Sequence, residues 1–161
     1  MTHHKVISSI ENSFFNYDPL PSFELTNLMD PSQVFSDKEL KGKVTVLNIW
    51  ASWCPACQSE HAFLMDISQR TGIPFYSLNF KDNPDAARKW LEDKGNPFIK
   101  TGIDAKGNLS AELGIIGIPE TFLVDKNGMI RYRHLGVLDQ EEWENTLQPL
   151  IVKYSKNEND E

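Results

Sequence analysis

The pattern of hydrophobic and polar positions lays out most of the elements before any chemistry is considered. Ser22-Phe23-Glu24-Leu25 alternates as a short strand, and Val34-Phe35 can pair with it as a hairpin across Asp30-Pro31-Ser32. Pro19 and Pro21 stiffen the entry, since each fixes its own φ. Lys38 to Gly42 reads as a turn, or one helical turn closed by glycine. Lys43 to Trp50 contains the apolar run of a buried central strand. From Pro55 to about Arg70 the apolar positions Ala56, Phe63, Leu64 and Ile67 fall at helical spacing, and Thr71-Gly72 ends the stripe.

Ile73 to Phe80 predicts the next strand. Asn83-Pro84 starts a helix, with asparagine as cap and proline in the first turn. Ala87, Trp90 and Leu91 form its inner face, and Gly95 stops it. Phe98 to Thr101 reads as a short strand and Ser110 to Leu113 as a helical turn. Glu120–Val124 and Met129–Leu135 are strands joined across Asp125-Lys126-Asn127-Gly128, where Asn-Gly is a hairpin signal. Asp139 and Glu142 have the spacing of a capping pair. The helix that follows places Trp143, Leu147, Leu150, Ile151 and Tyr154 on one face. This order predicts an α/β fold with a central mixed β-sheet and helices on both faces. The expected domain spans residues 19–155, after a partly ordered lead-in over 1–18 and before a polar tail over 156–161.

Composition narrows the function classes only a little. The 161 residues are 40% hydrophobic and 24% charged, ordinary for a soluble globular domain. A net charge of −7 without a basic cluster argues against nucleic-acid binding. No apolar run reaches the roughly 18 to 20 residues needed to span a bilayer. Met1 to Ile7 lacks the apolar core of a signal peptide, so the expectation is a cytosolic chain or one whose targeting segment was removed. His3 and His4 carry no functional weight.

The chemistry concentrates at one junction. Cys54 and Cys57, the only two cysteines, stand three positions apart where the central strand feeds a helix. The free N–H groups at a helix N-terminus favour a thiolate, which makes Cys54 the attacking sulfur and the more exposed one. Cys57, one turn further in, is the expected resolving thiol. Trp53 and Pro55 flank Cys54, and an exposed Trp53 suits a partner-contact surface. Other readings remain open. Cys54, Cys57 and His61 could form part of a zinc site, although a fourth ligand is not evident. An inert buried pair is a further alternative. Covalent haem attachment is excluded, because Gln58 stands where a histidine is required. His61 is expected to be solvated on its helix, Lys81 and Asp82 to form a solvated loop, and Trp90 and Trp143 to lie in the core.

Trp50-Ala51-Ser52-Trp53-Cys54-Pro55-Ala56-Cys57 resembles the active-site motif of the thioredoxin superfamily, and Ile118-Pro119 resembles its cis-proline loop. Without that likeness, Pro119 would read as a trans proline starting an edge strand. Gly114 to Asp125 resembles the signature of one branch, the cytochrome c maturation thiol:disulfide interchange proteins of the CcmG/DsbE type. Asn79 to Asp82 with Ala87 to Leu91 and Gly95 to Pro97 resembles that branch's insert, and Ile130 to Gly136 continues the likeness over about residues 20 to 152.

The resemblance implies a thioredoxin-like fold with an N-terminal hairpin and a central αβ insert. It implies a protein-disulfide reductase that acts in cytochrome c maturation and uses no bound cofactor. Its client would be the oxidised Cys-x-x-Cys-His of an apocytochrome, or a maturation thiol protein, and its electrons would come from a membrane relay of the DsbD or CcdA type. It further implies a periplasmic location, an N-terminal membrane anchor that this chain lacks, and a monomeric soluble form. Trp53, Pro55, Ile118 and Pro119 would contact the client, with the backbone at Ile118 pairing with its extended chain.

Two positions qualify the likeness. Asn48 stands where general thioredoxins carry a buried carboxylate, and Phe80 where the branch often has tyrosine. Glu120 resembles the branch's acidic residue near the cysteines; there it would raise the thiol pKa values and help move the proton of Cys57. A solvated glutamate at a strand start is the alternative. Two other functions stay in view: a general periplasmic reductase or thiol peroxidase on the same scaffold, and a non-catalytic apocytochrome-binding module.

Overall fold

The computed structural model describes residues 18–156, so the lead-in and tail expected from the sequence lie outside the described residues except for Asp18 and Lys156. Six strands form one mixed sheet: β1 (Asp18–Pro19), β4 (Thr45–Trp50), β5 (Phe75–Phe80), β6 (Thr101–Asp104), β7 (Glu120–Val124) and β8 (Met129–Leu135). Their order across the sheet is β1-β8-β7-β4-β5-β6. β4, β5 and β6 run parallel, while β7 pairs antiparallel with both β4 and β8. β2 (Glu24–Thr26) and β3 (Val34–Ser36) make the expected separate hairpin.

Burial of β4 on both faces explains its position. Val46 and Trp50 face a core built with α1 (Pro55–Thr71), α2 (Pro84–Lys94) and the C-terminal helix over residues 140–155, α4 below. Leu47 and Ile49 face the other core, with Phe35 of the hairpin and Leu109 of the short helix α3 (Asn108–Glu112). A strand covered on both sides belongs in the middle of the sheet. α2 and β6 supply the expected central αβ segment. The hairpin crosses so close to β6 that a Cβ on Gly102 would lie 2.8 Å from the tip of the Leu25 side chain, which would have to shift to admit it.

Local signals hold where a side chain meets a free backbone group. Asn83 accepts from the Ala86 amide with Pro84 in the first turn, and Gly72, at φ 69°, closes α1. Asp139 accepts from the Glu142 amide, but Glu142 accepts from the Tyr132 hydroxyl instead of returning to its own cap. α4 runs through Gln140–Glu142, a π turn at Trp143–Leu147, and Gln148–Ser155. Pro149 has no N–H to donate to the preceding turn, which accounts for the wider turn just before it.

Several expectations change. The strand expected at Phe98 to Thr101 begins instead at Thr101, because Phe98 leaves the sheet to stack against Trp50. The inner face of α1 carries Cys57, Glu60, His61, Leu64 and Ile67, while Ala56 and Phe63 are only half-buried. His61 is buried and not solvated. Its Nε2 donates to the Gly95 carbonyl at 2.7 Å, its ring meets the edge of Trp90, and burial holds its pKa below the usual range. His61 thus docks α1 against the end of α2.

Trp50, the first residue of the cysteine motif, is fixed from below by a buried polar chain. Its Nε1 donates to Ser77 Oγ at 2.9 Å, and Ser77 Oγ lies 2.7 Å from Thr101 Oγ1. Ser77→Ala leaves the indole N–H without its partner, an expected loss of about 1–3 kcal/mol in urea unfolding. A loss below about 0.5 kcal/mol would show that the chain does not anchor the motif.

Candidate active site

Cys54 is the N-cap of α1, and Pro55 occupies the first helical position without wasting a donor. The Cys54 sulfur accepts from the Cys57 amide at 3.2 Å, the free N–H that the helix end offers to a thiolate. Both cysteines are free thiols. Contrary to the expectation of a more exposed first cysteine, Cys54 is 4% exposed and Cys57 6%. The Cys54 sulfur is tucked into the helix turn, and its S–H points to the Ile118 carbonyl 3.7 Å away. Pro55 is exposed, and Trp53 is 54% exposed. The flanking residues, and not the sulfur, present the open surface.

The second thiol has a different environment. Burial pushes the Cys57 thiol far up, and the neighbouring Cys54 sulfur and the Glu60 carboxylate push it further. Glu60 sits three residues on, on the same inner face of α1, and is 1% exposed. Its Oε1 accepts from Asn48 Nδ2 at 3.0 Å and its Oε2 from the Leu138 amide at 2.7 Å. Those two bonds favour the anion, but burial outweighs them, and the carboxyl is pushed up to about 7. A buried carboxylate near neutrality beside a thiol that resists ionisation can take that thiol's proton. Nothing in the Cys-Pro-Ala-Cys motif points to Glu60. The signal that could have found it is a glutamate at a core position of the helical stripe, in register with Cys57 and Leu64.

Ile118-Pro119 is a cis peptide bond, and the loop that carries it lies against Cys54. Pro119 itself is buried, and Ile118 is half-buried. Glu120 is where the expectation fails. Its Oε1 accepts from the amides of Ile116 and Gly117 at 2.8 and 3.3 Å, and its Oε2 is paired with Arg133 at 2.9 Å. Both oxygens are taken and the charge is offset, whereas Glu60 is the carboxyl that acts on the Cys57 thiol. A strand-start glutamate next to the proline gave no hint of an arginine arriving from the neighbouring strand.

The loop expected to be solvated is also tied to the site. Asp82 accepts from the Ser52 amide at 2.7 Å and the Ser52 hydroxyl at 2.9 Å, and Trp53 Nε1 donates to the Lys81 carbonyl at 2.9 Å. The β5–α2 loop therefore sets the angle of the exposed indole. His61, weighed above as a third zinc ligand, spends its Nε2 on Gly95. Among the described residues no group of three His, Cys, Asp or Glu side chains is placed to hold a metal.

The raised Glu60 pKa has a stability consequence with a definite sign. Folding favours the protonated acid, so its contribution is fully present below about pH 4.5 and is lost as pH rises through about 7. Glu60→Gln removes that dependence. Between about pH 4 and about pH 8 the variant should gain on the parent by on the order of 3 kcal/mol. Denaturant unfolding of the reduced protein across that range checks it, and parallel stability curves would refute it.

With this geometry in hand, comparison with known proteins is specific. The Redoxin family model matches residues 16–149. The thiol:disulfide interchange protein DsbE of Escherichia coli is 45% identical over 139 residues, covering 86% of this chain and 75% of the relative. DsbE of Vibrio cholerae is 42% identical over 134 residues, covering 83% of this chain and 72% of the relative. Among solved structures, a Chlorobium tepidum protein assigned as a DsbE superposes with a TM-score of 0.71 at 26% identity, over 88% of this chain and 98% of that one. The chain belongs to the Redoxin family and, within it, to the DsbE-type thiol:disulfide interchange proteins.

Proposed function

We propose that this thiol:disulfide oxidoreductase of the DsbE type is a reductant in cytochrome c maturation. Cys54 attacks the client, Cys57 resolves, and Glu60 accepts the resolving proton. The observation that carries the reading is the asymmetry of the two sulfurs. One accepts a helix-terminal amide, and the other is buried beside a carboxyl pushed up to about 7.

The reaction starts from the dithiol. The Cys54 thiolate attacks one sulfur of the client disulfide; the S–S bond breaks, and the departing sulfur takes up a proton. A mixed disulfide now joins Cys54 to the client. Cys57 gives its proton to Glu60 and attacks the Cys54 sulfur, and the client's second thiol departs with a proton. The client has gained two electrons, and the protein is left with a Cys54–Cys57 disulfide. Two electrons and two protons from a reducing partner restore the dithiol.

The client class is an oxidised Cys-x-x-Cys-His segment of an apocytochrome, or a thiol protein that hands it on, and the electron source is a membrane relay of the DsbD or CcdA type. The DsbE relatives support this assignment and, with it, a periplasmic site of action. Among the described residues no helix is long and apolar enough to cross a membrane. Trp53, Pro55 and the backbone at Ile118 and Pro119 form the contact surface for the client, and the domain over residues 19–155 works as a monomer.

The test compares the reduced protein on an oxidised Cys-x-x-Cys-His peptide and on insulin. Preference for the peptide by about tenfold or more in kcat/KM is expected, and equal rates would overturn the maturation reading. Cys57→Ser should accumulate a mixed disulfide through Cys54, visible by mass, while Cys54→Ser accumulates none. Trapping through Cys57 in the Cys54→Ser variant would reverse the assigned roles.

A further inference from the structure

The end of the molecule opposite the cysteines carries a charge pattern that the thiol chemistry does not use. β4 begins at Thr45, two residues past Lys43, and ends at Trp50, which opens the cysteine turn. The length of that strand puts about 20 Å between this end and Cys54. Five lysines gather here from three segments. Lys41 and Lys43 precede β4, Lys126 lies in the β7–β8 turn, and Lys153 and Lys156 belong to the end of α4. Hydrogen bonds hold the segments together. The Gly42 amide donates to the Lys126 carbonyl at 2.8 Å, and Lys126 Nζ donates to the Lys156 carbonyl at 3.4 Å. Between them lies an open cavity of about 320 Å³, lined by Lys43 and Lys126 together with Ile73, Pro74, Ile151 and Tyr154.

The positive charge here is not compensated locally. Lys41, Lys43, Lys153 and Lys156 are exposed and Lys126 is half-buried. Among the described residues none of the five has a carboxylate partner. Asp125, in the same turn as Lys126, is buried and spent on Arg131 at 2.7 Å and on the amides of Asn127 and Met129. The lysines thus form a cationic pole on a chain whose net charge is −7. Apolar surface is mixed in with them, since Val152, next to Lys153, is 56% exposed.

We propose that this lysine pole docks on an anionic phospholipid surface and leaves Cys54 and the cis-proline loop turned away from it. The side-chain types favour that partner over an acidic protein. Protein interfaces are depleted in lysine and enriched in arginine, whose planar fork fits a carboxylate. The cations here are lysines, and Arg131, which reaches the pole over the Tyr154 ring, is already paired with Asp125. A fluid sheet of phosphates asks for no fixed geometry. Lysines can follow it on their apolar stems while Val152 and Tyr154 settle among the headgroups. The cavity between Lys43 and Lys126 offers one headgroup phosphate two cations, with apolar walls beneath. The acidic remainder of the chain does not forbid contact, because at physiological ionic strength charges are screened over about 8 Å, well short of the length of β4. The proposal does not depend on which client the cysteines reduce.

The test is flotation of the full 161-residue chain with phosphatidylcholine vesicles, with and without phosphatidylglycerol. Binding is expected only with phosphatidylglycerol, and it should fall about tenfold or more between roughly 0.05 M and roughly 0.3 M salt. No phosphatidylglycerol-dependent binding at the lower salt overturns the proposal. Lys43→Gln and Lys126→Gln should each weaken binding about fivefold, the change expected for one lysine near an anionic surface, and replacing all five should abolish it. Lys94→Gln with Lys106→Gln removes two cations elsewhere and should change binding less than about twofold. A loss there equal to that of Lys43→Gln with Lys126→Gln would show that overall charge binds and the pole does not. Past Lys156 the chain continues through Glu158, Asp160 and Glu161, which oppose an anionic surface. Neutralising those three should tighten binding about twofold or more, and weaker binding overturns the proposal. Binding of the parent to polyglutamate but not to vesicles would assign the pole to acidic proteins and overturn the membrane reading.

Alkylation of Cys54 reads the orientation without any client. Its rate on phosphatidylglycerol vesicles should stay within about twofold of the rate in solution, and protection by about tenfold or more would place the cysteines against the lipid and overturn the docking geometry.

Discussion

The carboxylate of Glu60 lies inside the protein with two hydrogen bonds to offset the water it has given up, from Asn48 Nδ2 and the Leu138 amide. That is too little to hold an anion as water would, and the group sits close to its protonation point at neutral pH. The arrangement depends on three elements at once: α1 supplies the acid, β4 the asparagine, and the β8–α4 connection the amide. Moving any one of them would alter the proton balance beside Cys57. The packing of helix against sheet is therefore part of the redox chemistry.

Two buried glutamates at the site illustrate how surroundings divide labour between identical side chains. Glu60 has no cation among its hydrogen-bond partners and stays ready to take up a proton. Glu120 is locked to Arg133 and to two loop amides. The first is suited to moving protons, the second to holding backbone. Burial is nearly the same for both, at 1% exposure, so the partners make the difference.

The parts of this architecture that are legible in the sequence are those set by local rules. Asn83-Pro84, Gly72, the Asn-Gly hairpin and the strands Glu120–Val124 and Met129–Leu135 each follow from a period or a turn residue whose physics is complete within a few positions. The cysteine motif was legible for the same reason. What the sequence concealed are contacts between segments far apart: His61 with Gly95, Asp82 with Ser52, Glu60 with Leu138, and Glu120 with Arg133. All are polar side chains that look solvated when only their neighbours are considered. His61, Glu60 and Glu120 are buried and Asp82 half-buried because a backbone group or counter-ion reaches each from another element, and no spacing rule encodes that meeting.

Asn48 ties the two halves of the site together. Its Nδ2 donates to Glu60 on α1 and also to Thr121 Oγ1 on β7, two residues beyond Pro119. From the sequence alone Asn48 looked like a missing acid. The structure turns that absence into a requirement. A carboxylate at position 48 would set a second anion within hydrogen-bonding distance of Glu60 in the same buried space, and like charges so placed force one of the pair to stay protonated. A neutral donor at 48 leaves a single titrating acid, aligned with Cys57 on its own helix. The asparagine on β4 joins the Glu60 face of α1 to the strand that follows the cis-proline loop.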